Sequence, residues 1–418
     1  MQKEATEQKH AIVIGAGIIG VCAGLSLLRE GYRVTLVDRQ GPGKGASFGN
    51  GSVLTPDAVV PVATPGIFWR VPGMLLDPTG PLRIRWSYLP RLTPWLLRFL
   101  AASGAKRVEQ LSIALADLHK GAVEAYGPLL KMAGVEDMVR KSGWVCVYES
   151  EAEFQAAQPS LEIERRRGLT MQVLGAEELR QLEPSLAPIF PRAVFYPDTA
   201  YTVNNFRLVQ VLAEALQSQG GRILRSEVRG FEFGEAGVRA VVTEQGAEPC
   251  DAVVVAAGAW SKPLAAQLGS HPPLDTERGY HLTVGEPGVM PRLPVYSTTR
   301  AFVCTPLETG LRIAGTVELG GLEAPPDWRR ADLLMTHAKR WLPGLRDKEV
   351  SRWMGHRPSM PDSVPVISAS PHHKNTVFAF GHGHAGLGLG ARTGELVADL
   401  VAGRSSAIDM APYRIDRF

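Results

Sequence analysis

The chain opens with apolar runs separated by glycines in a way that is typical of a strand–helix–strand unit. Residues 11–14 predict a buried strand, residues 18–30 predict a helix, and residues 33–37 predict a second strand. Buried strands of the same kind recur at 252–256 and at 376–380. Pieces of one parallel α/β sheet are therefore predicted at three separate places along the chain.

The segments between these pieces predict further helices and strands. Residues 205–217 form an amphipathic helix, because leucines recur at every fourth position and Asn204 can cap its start. Residues 108–132 carry apolar side chains at helical spacing and predict one long helix. Residues 67–99 combine prolines with aromatic residues. Strand-type runs are predicted at 222–248, 280–284, 301–305 and 311–317, and a further helix at 328–341.

Together these elements predict an α/β fold with two domains, of which the first is discontinuous. A Rossmann-type domain is expected to take residues 1–60, 195–270 and 350–418, because these hold the parallel-type strands. Residues 61–194 and 271–349 are expected to form an α+β domain built on an antiparallel-rich sheet.

Composition narrows the class of protein. The 418 residues carry 45 basic and 42 acidic side chains, a net charge of +3, which is too balanced for a nucleic-acid surface. The local run ERRRG at 164–168 is interpreted as a solvated face. Four scattered cysteines contain no CxxC pair, so no metal site is predicted from them and a reducing compartment is favoured.

Hydropathy also bears on where the protein resides. The polar start, MQKEATEQKH, has no apolar run, so no signal peptide is expected. No window approaches 18 uninterrupted apolar residues, so no spanning helix and a cytoplasmic location are expected. The Trp, Leu and Arg residues in RIRWSYLPRLTPWLLRFL are typical of membrane-interface segments and equally of a buried insertion. Peripheral contact of residues 67–99 with the inner face of the cell membrane therefore stays open.

The sequence GAGIIG follows the first strand and opens the first helix. Gly15 allows the tight turn, Gly17 lets the backbone approach a pyrophosphate, and Gly20 permits close packing of helix on strand. The helix N-terminus also attracts phosphate charge. Asp38, 18 residues after Gly20, can accept hydrogen bonds from ribose hydroxyls. A dinucleotide-binding site is therefore predicted.

Three features favour FAD over NAD as that dinucleotide. The glycine motif lies near residue 1, and a mid-chain strand is followed by the small residues 257–259. The third feature is the run GHGHAGLGLG at 381–390, which places glycines at alternate positions between a strand and a helix. A long cofactor needs contacts at several such places.

At these residues the chain resembles the D-amino-acid oxidase superfamily of FAD enzymes. It is most similar to the bacterial D-amino-acid dehydrogenases, including those acting on D-proline or hydroxy-D-proline. The similarity covers nearly the whole chain and follows the family order. It is carried by GPGKGASFGNGS, VVVAAGAWS, PLDTERGYHLTV, GLRIAGTVELGG, GHRPSMPDSVPVIS and GHGHAGLGLG.

The resemblance implies cofactor contacts from several loops. Residues 41–52 resemble the second flavin loop, Val228 would hold adenine through its main chain, and the helix near Leu387 would direct its positive end at the flavin ring. The motif and the resemblance together give the cofactor-binding residues as Gly15, Gly17, Ile18, Gly20, Asp38, Arg39, Ala46, Ser47, Asn50, Gly51, Ser52, Val228, Ala257, Gly258, Trp260, Gly381, His382, Gly383, His384, Gly386, Leu387 and Gly388.

The resemblance also implies a substrate clamp. Arg357 in GHRPSMPD matches the arginine that pairs with the substrate carboxylate through two parallel hydrogen bonds. Tyr280 in RGYH resembles the tyrosine whose hydroxyl supports that carboxylate. His281 and Tyr201 are further candidates, each with packing as the alternative role.

His382 and His384 form an HxH pair that needs separate consideration. Two histidines at this spacing can bind a metal, but the sequence offers no third ligand, so no metal site is predicted. Contact with flavin or substrate and a purely structural role remain as the two alternatives.

These inferences predict an FAD-dependent D-amino-acid dehydrogenase. Its substrate would be a small D-amino acid, including D-proline-like ones, and its electrons would pass to a quinone or respiratory acceptor. One rival is an oxygen-using oxidase of glycine, sarcosine or another secondary amine. Another is an FAD-dependent tRNA-modifying protein, against which the balanced charge argues, and a third is a non-catalytic FAD subunit. The oligomeric state is not predicted.

Overall fold

The computed structural model of the chain describes residues 8–77, 79–235 and 237–418. Most of the polar N-terminal segment used in the signal-peptide prediction, residues 1–7, lies outside this part, as does Pro78 within the segment 67–99.

The strands and helices are numbered here in chain order. The strands are β1 (His10–Ile14), β2 (Arg33–Asp38), β3 (Val53–Leu54), β4 (Leu82–Ile84), β5 (Val139–Arg140), β6 (Trp144–Tyr148), β7 (Gln172–Gly175), β8 (Arg192–Tyr196), β9 (Ala200–Thr202), β10 (Arg222–Arg225), β11 (Val228–Gly234), β12 (Gly237–Thr243), β13 (Gly246–Pro249), β14 (Ala252–Val255), β15 (Asp275–Val284), β16 (Val295–Ser297), β17 (Phe302–Leu307), β18 (Gly310–Leu319), β19 (Val350–Ser359), β20 (Val366–Ala369) and β21 (Thr376–Phe380). The helices are α1 (Ile18–Arg29), α2 (Ile67–Leu76), α3 (Leu89–Ala102), α4 (Ala105–His119), α5 (Tyr126–Ala133), α6 (Glu151–Arg166), α7 (Ala176–Leu182), α8 (Asn205–Ser218), α9 (Ser261–Gln267), α10 (Arg329–Trp341) and α11 (Gly386–Val401).

The first sheet is built from three distant parts of the chain. Its order is β10-β2-β1-β14-β21-β20, and all neighbours are parallel except β20 and β21. The central strand β1 is buried throughout, as its unbroken apolar run predicts for a sheet covered on both faces. Helices α1 and α11 pack side by side against it. The predicted Rossmann-type α/β arrangement is confirmed.

The second sheet has nine strands, most of them antiparallel. Its main path is β19-β15-β18-β17-β16-β6-β8-β7, with β4 added beside β18. Strands β15 and β19 pair along their whole length, from Asp275 opposite Ser359 to Val284 opposite Val350. Residues 350–359 therefore lie in the second sheet, whereas the sequence pattern grouped them with the first. The sequence pattern could not show this, because the alternation of apolar and polar residues along one strand does not say which other strand it pairs with.

Two predicted helices can be compared directly with the structure. The amphipathic helix is α8, and the Asn204 side chain accepts a hydrogen bond from Arg207 N as a cap. The single helix expected over 108–132 is instead divided into α4 and α5. Gly121, with φ of 72°, turns the chain between them, because a left-handed residue cannot continue an α-helix.

Candidate active site

A cavity of about 1600 Å³ lies between the two sheets. On one side it is lined by the residues that follow the carboxyl ends of β1, β2, β14 and β21. On the other side it is lined by residues of β15, β18 and β19. Open parallel sheets bind ligands at their carboxyl ends, so this is the expected place for a site.

The turn from β1 to α1 is shaped by its glycines. Gly15 has φ of 106°, and a Cβ there would lie 2.4 Å from the carbonyl oxygen of Ala256. Gly17 lines the cavity at the start of α1, where a Cβ would point toward Ser47. Gly20 does not line the cavity; its Cβ would lie 1.8 Å from Gly15 O, so it permits the close packing of α1 on the turn.

Asp38 closes the same end of the cavity. Its Oδ2 accepts a hydrogen bond from Ala16 N at 2.9 Å, and its Oδ1 accepts from Gln40 N at 2.8 Å. The neighbouring Arg39 places its guanidinium 4.2 Å from the centre of the Trp260 ring. The predicted residues that line this end are Ile18, Asp38, Arg39, Val228, Ala257, Gly258 and Trp260.

The loop 46–52 forms one wall of the cavity and is fixed by hydrogen bonds to Ile18 and Asn205. Ala46, Ser47, Asn50 and Gly51 line the cavity, and Ser47 Oγ accepts a hydrogen bond from Ile18 N at 3.0 Å. Ser52 faces away from the cavity and donates its hydroxyl proton to Asn205 Oδ1.

A buried arginine fixes this loop. Arg312 Nη1 donates to Asn50 O at 3.0 Å and to Phe48 O at 3.3 Å, and its Nε donates to Thr283 Oγ1. Burial lowers the pKa of Arg312 to about 10. Since its partners are carbonyls and a hydroxyl, this side chain ties the loop to β18.

The glycine-rich run after β21 forms the wall beside the first helix. The predicted residues that line the cavity here are Gly381, His382, Gly383, His384, Gly386 and Leu387. Gly388 packs instead against residues 54–55, where a Cβ would lie 3.3 Å from Thr55 N. Helix α11 begins at Gly386 without a side-chain cap, and Gly386 and Leu387 line the cavity. The first amide groups of the helix are therefore at the cavity and are not bonded by a capping side chain.

The two histidines of this run have different surroundings. His382 is buried, with Nε2 3.0 Å from Thr393 Oγ1, and burial lowers its pKa to about 3. His384 Nε2 lies 2.7 Å from Glu277 Oε2, so the imidazole is fixed by a carboxylate of β15. Within residues 8–77, 79–235 and 237–418, no group of three or more His, Cys, Asp or Glu side chains could hold a metal ion.

Arg357 projects into the cavity from β19. Its Nη1 donates to Thr316 O at 2.8 Å and its Nη2 to Gly315 O at 3.3 Å. Gly279 on the neighbouring strand leaves the space for it, because a Cβ there would lie 2.2 Å from Nη2. Burial lowers the pKa of Arg357, and the carboxylate of Glu277 acts in the opposite direction. A guanidinium has five N–H donors, so donors remain for a ligand.

The structure does not bring Tyr280 into the cavity. Glu277 and Gly279 of β15 face the cavity, and successive side chains of a strand point to opposite faces. Tyr280 is fully buried on the other side, where its hydroxyl donates to Glu318 and accepts from Asp327 N at 2.9 Å. The predicted carboxylate contact of Tyr280 is therefore corrected to a core position.

His281 and Tyr201 also lie outside the cavity lining. His281 Nδ1 is 3.1 Å from Gly49 O, and its ring stacks on Trp353 at 5.1 Å. Burial lowers the pKa of His281 to about 3. Tyr201 is a buried residue of β9 in the core around α1 and α11. His281 contacts the loop 46–52 at Gly49, on the side away from the cavity, and Tyr201 packs in the core.

Several cavity residues were missed by the sequence reasoning. Glu277 shares its strand face with Gly279, and His119 ends α4. His119 Nδ1 lies 2.8 Å from Thr55 O, while its buried Nε2 has no hydrogen-bond partner in the part of the chain that the structure describes. Burial lowers its pKa to about 4. Only the alternation along β15 could have indicated Glu277; no sequence pattern indicated His119.

Glu164 corrects a further expectation. The run 164–168 was interpreted as a solvated face, but Glu164 lines the cavity from α6. It shares this face of the helix with Glu153, Ala157 and Ser160, at spacings of three and four residues.

These residues fit a long dinucleotide. The cavity has a glycine cradle at the start of α1, a helix end without a side-chain cap at α11, and the His119 nitrogen that has no hydrogen-bond partner among the described residues. Three loops around one cavity, with an arginine on the opposite sheet, are the arrangement of a flavoprotein oxidoreductase. The chain belongs to the family of FAD dependent oxidoreductases (DAO), which matches residues 10–400. FAD is the cofactor of the protein.

Individual relatives also support membership of this family of FAD dependent oxidoreductases. The chain is 41% identical over 419 residues to a D-amino-acid oxidase of Bradyrhizobium diazoefficiens, covering 99% of both chains. It is 33% identical to a D-amino acid dehydrogenase 2 of Ralstonia nicotianae, covering 97% of this chain and 99% of that one. A solved structure of glycine oxidase from Geobacillus kaustophilus matches with a TM-score of 0.74 at 21% identity, covering 98% of this chain and 100% of that chain.

Proposed function

We propose that the protein oxidises the Cα–N bond of D-amino acids. The observation that carries this proposal is Arg357, whose guanidinium lies in the same cavity as the three cofactor loops. A guanidinium orients a carboxylate by two parallel hydrogen bonds, which suits an amino acid. The relatives named for D-amino acids support the D configuration.

The residues of this chain bind and orient the substrate. Arg357 holds the carboxylate, and its carbonyl partners Gly315 and Thr316 fix the guanidinium so that little rotamer freedom is lost on binding. Glu277 and His384 form a polar wall of the cavity, and we assign the amino group to that wall. The amine must be neutral for oxidation; burial beside the Arg357 cation lowers the pKa of an ammonium group, whereas the carboxylate of Glu277 opposes this shift.

FAD, when bound, supplies the acceptor for the hydride that leaves Cα. The protein contributes the fixed orientation of the substrate carboxylate at Arg357. The product is an imino acid, which hydrolyses in water, or a cyclic imine where the substrate is D-proline-like.

A dye-linked screen of D- and L-amino acids under nitrogen tests the proposal. We expect dye reduction with several D-amino acids and none with their L-enantiomers. Turnover of L-amino acids alone, or of none, would refute it. Substitution Arg357→Met should raise KM for every active amino acid, because the carboxylate loses its partner.

For the electron acceptor we propose a quinone or respiratory carrier. The second candidate is molecular oxygen, favoured by the relative at 41% identity that is named an oxidase. Rates with a soluble quinone under nitrogen and peroxide yield in air separate the two. Stoichiometric peroxide at a rate equal to the quinone rate would replace the first proposal by the second.

We also propose peripheral membrane contact through α2, α3 and Trp86, which precedes α3. Apolar side chains here are exposed: Phe68, Trp69, Leu76, Trp86 and Leu97, with Trp69 at 81% and Leu76 at 83%. Among the described residues, no helix is both long and apolar enough to cross a bilayer. Sedimentation with anionic lipid vesicles should carry the protein down, and Trp69→Ser with Leu76→Ser should leave it in solution. Equal sedimentation of both proteins would refute the contact.

A further inference from the structure

Beyond the substrate clamp, the cavity continues into an end that has no assigned role. This end, named here the distal pocket, is formed by Asp57, Trp144, Glu164, Tyr196 and Tyr296. We propose that the distal pocket selects D-amino acids whose side chain carries a positive charge, of the arginine type. The inference rests on the proposed oxidation of D-amino acids and names the class of side chain.

The distal pocket is within electrostatic range of the clamp. Burial raises the pKa of Tyr296, and the charges of Asp57, Arg357 and Glu164 each act on it as well. In the second sheet β16, which carries Tyr296, lies between β19, which carries Arg357, and β6 and β8, which carry Trp144 and Tyr196 of the distal pocket. A substrate held at Arg357 would extend its side chain past this ring.

The carboxyl groups of Asp57 and Glu164 differ in the number of hydrogen bonds that they accept from the protein. Asp57 is 9% exposed, and its oxygens accept hydrogen bonds from Trp144 Nε1 at 3.1 Å and Thr199 Oγ1 at 3.0 Å. Glu164 Oε2 accepts from the hydroxyl of Tyr196 at 2.7 Å. Glu164 has no other hydrogen bond or ion pair within the described chain, so Oε1 can accept from a ligand.

Aromatic rings complete the walls. Trp144 and Tyr296 stack with ring centres 4.8 Å apart, and Trp144 also contacts Tyr196 at 6.3 Å. Tyr148 is 2% exposed and lines the cavity, and its hydroxyl lies beside the thiol of Cys146. Aromatic faces attract cations, and a guanidinium both stacks on them and donates to carboxylates. This combination fits a guanidinium better than a neutral or acidic side chain.

One basic residue near this region favours a different substrate. Arg300 also lines the cavity, and an acidic substrate could pair with it. Its guanidinium lies 3.6 Å from Glu149 Oε2, which also pairs with Arg340 at 3.0 Å, and Arg300 Nε has no hydrogen-bond partner in the described part of the chain, so D-glutamate is the competing substrate in the test. Where Glu164 is ionised, its negative charge has no ion-pair partner within the described residues, and this favours a cationic side chain.

The pH dependence of binding follows from the same surroundings. Burial raises the pKa of Glu164 to about 8, and Asp57 adds to this effect, while Tyr196 and Arg165 oppose it; Cys146 faces the same site. Below that pH the carboxyl is protonated in the free enzyme, and a bound cation has to displace the proton. Preference for a cationic side chain should therefore rise from pH 6 toward pH 9 as Glu164 ionises.

The experiment compares D-arginine with D-citrulline, its uncharged isostere, and with D-glutamate on the FAD-loaded full chain. We expect kcat/KM for D-arginine to exceed that for D-citrulline by about 10- to 100-fold at pH 8.5. Glu164→Gln should bring the ratio close to one and remove its pH dependence. The matched control is Glu162→Gln, an exposed carboxylate of the same helix that pairs with Arg165 and Arg166, and it should retain the wild-type ratio.

The outcomes separate this inference from the function on which it rests. Equal rates for D-arginine and D-citrulline, or a preference for D-glutamate, overturn the inference and leave D-amino-acid oxidation standing. An unchanged ratio in Glu164→Gln overturns it as well. Absence of turnover with any D-amino acid overturns both.

Discussion

Gly279→Ala is the substitution that tests the substrate clamp most directly. The nearest three atoms to an added Cβ are all in the Arg357 guanidinium, with Nη2 at 2.2 Å. Non-bonded heavy atoms rest at roughly 3.5–4.0 Å, so the guanidinium would have to retreat by more than about 1 Å. A displacement of that size at a binding group can lower the rate by about 100-fold, which corresponds to about 2.7 kcal/mol.

The backbone should accept the new methyl group. Gly279 lies within β15 and is not among the glycines with positive φ, and Ala is favoured over Gly inside strands by about 0.5–1 kcal/mol. We therefore expect kcat/KM for D-amino acids to fall by about 100-fold, mainly through KM, while thermal stability and FAD affinity stay at wild-type values. Steady-state kinetics with a dye acceptor and a flavin fluorescence titration measure the two effects.

A double-mutant cycle with Arg357→Met shows whether the methyl group acts through the guanidinium. In the Arg357→Met background, Gly279→Ala should change kcat/KM by less than about twofold, because the group it displaces is gone. A loss of similar size in both backgrounds, or a loss below about threefold in the wild-type background, would refute the clamp as described.

Three further predictions concern the cofactor and stability. Gly17→Val fills the cradle at the start of α1 and should weaken FAD binding by about tenfold or more in a fluorescence titration; an unchanged Kd would contradict the cradle. Arg312→Met leaves carbonyls of the loop 46–52 without a donor, so it should lower the free energy of unfolding, measured in urea, by about 2–3 kcal/mol. Arg312→Lys keeps a donor and should lose only part of this stability. Burial lowers the pKa of His281 to about 3, so the folded protein keeps this imidazole neutral. In the unfolded chain the same imidazole takes up a proton as the pH falls below the ordinary histidine pKa, and this uptake stabilises the unfolded state. Between pH 7.5 and 5.5 the wild type should therefore lose about 1.4 kcal/mol more stability than His281→Gln, which keeps the other buried histidines; equal losses would show that His281 is not responsible.

Local patterns in the sequence were enough to predict the four central strands of the first sheet, β2, β1, β14 and β21, and the loops that follow them. The apolar runs of β1, β14 and β21 and the glycines that follow them encode strand ends directly. Each of these features depends on a few neighbouring residues, so a single sequence contains the whole signal.

The second sheet and the distal pocket depend on pairing between distant residues. Tyr280 was assigned to the substrate because its motif resembles that of a family, while the face it occupies is set by Gly279 and Glu277 on the same strand. Glu164 was assigned to solvent because it stands in a run of charges, although α6 turns one of its faces to the cavity. Neither orientation is encoded locally, because each depends on which strand or helix lies opposite.

The position of β21 and α11 has a consequence for biosynthesis. Strand β14 has β1 on one side and β21 on the other, and α11 packs against α1 near the opposite end of the sequence. While the ribosome is still translating residues before 376, β14 therefore exposes an unpaired parallel edge and α1 lacks its neighbour. Non-local pairing of this kind is slow and prone to aggregation, so the nascent chain should depend on chaperones until its last helix has emerged.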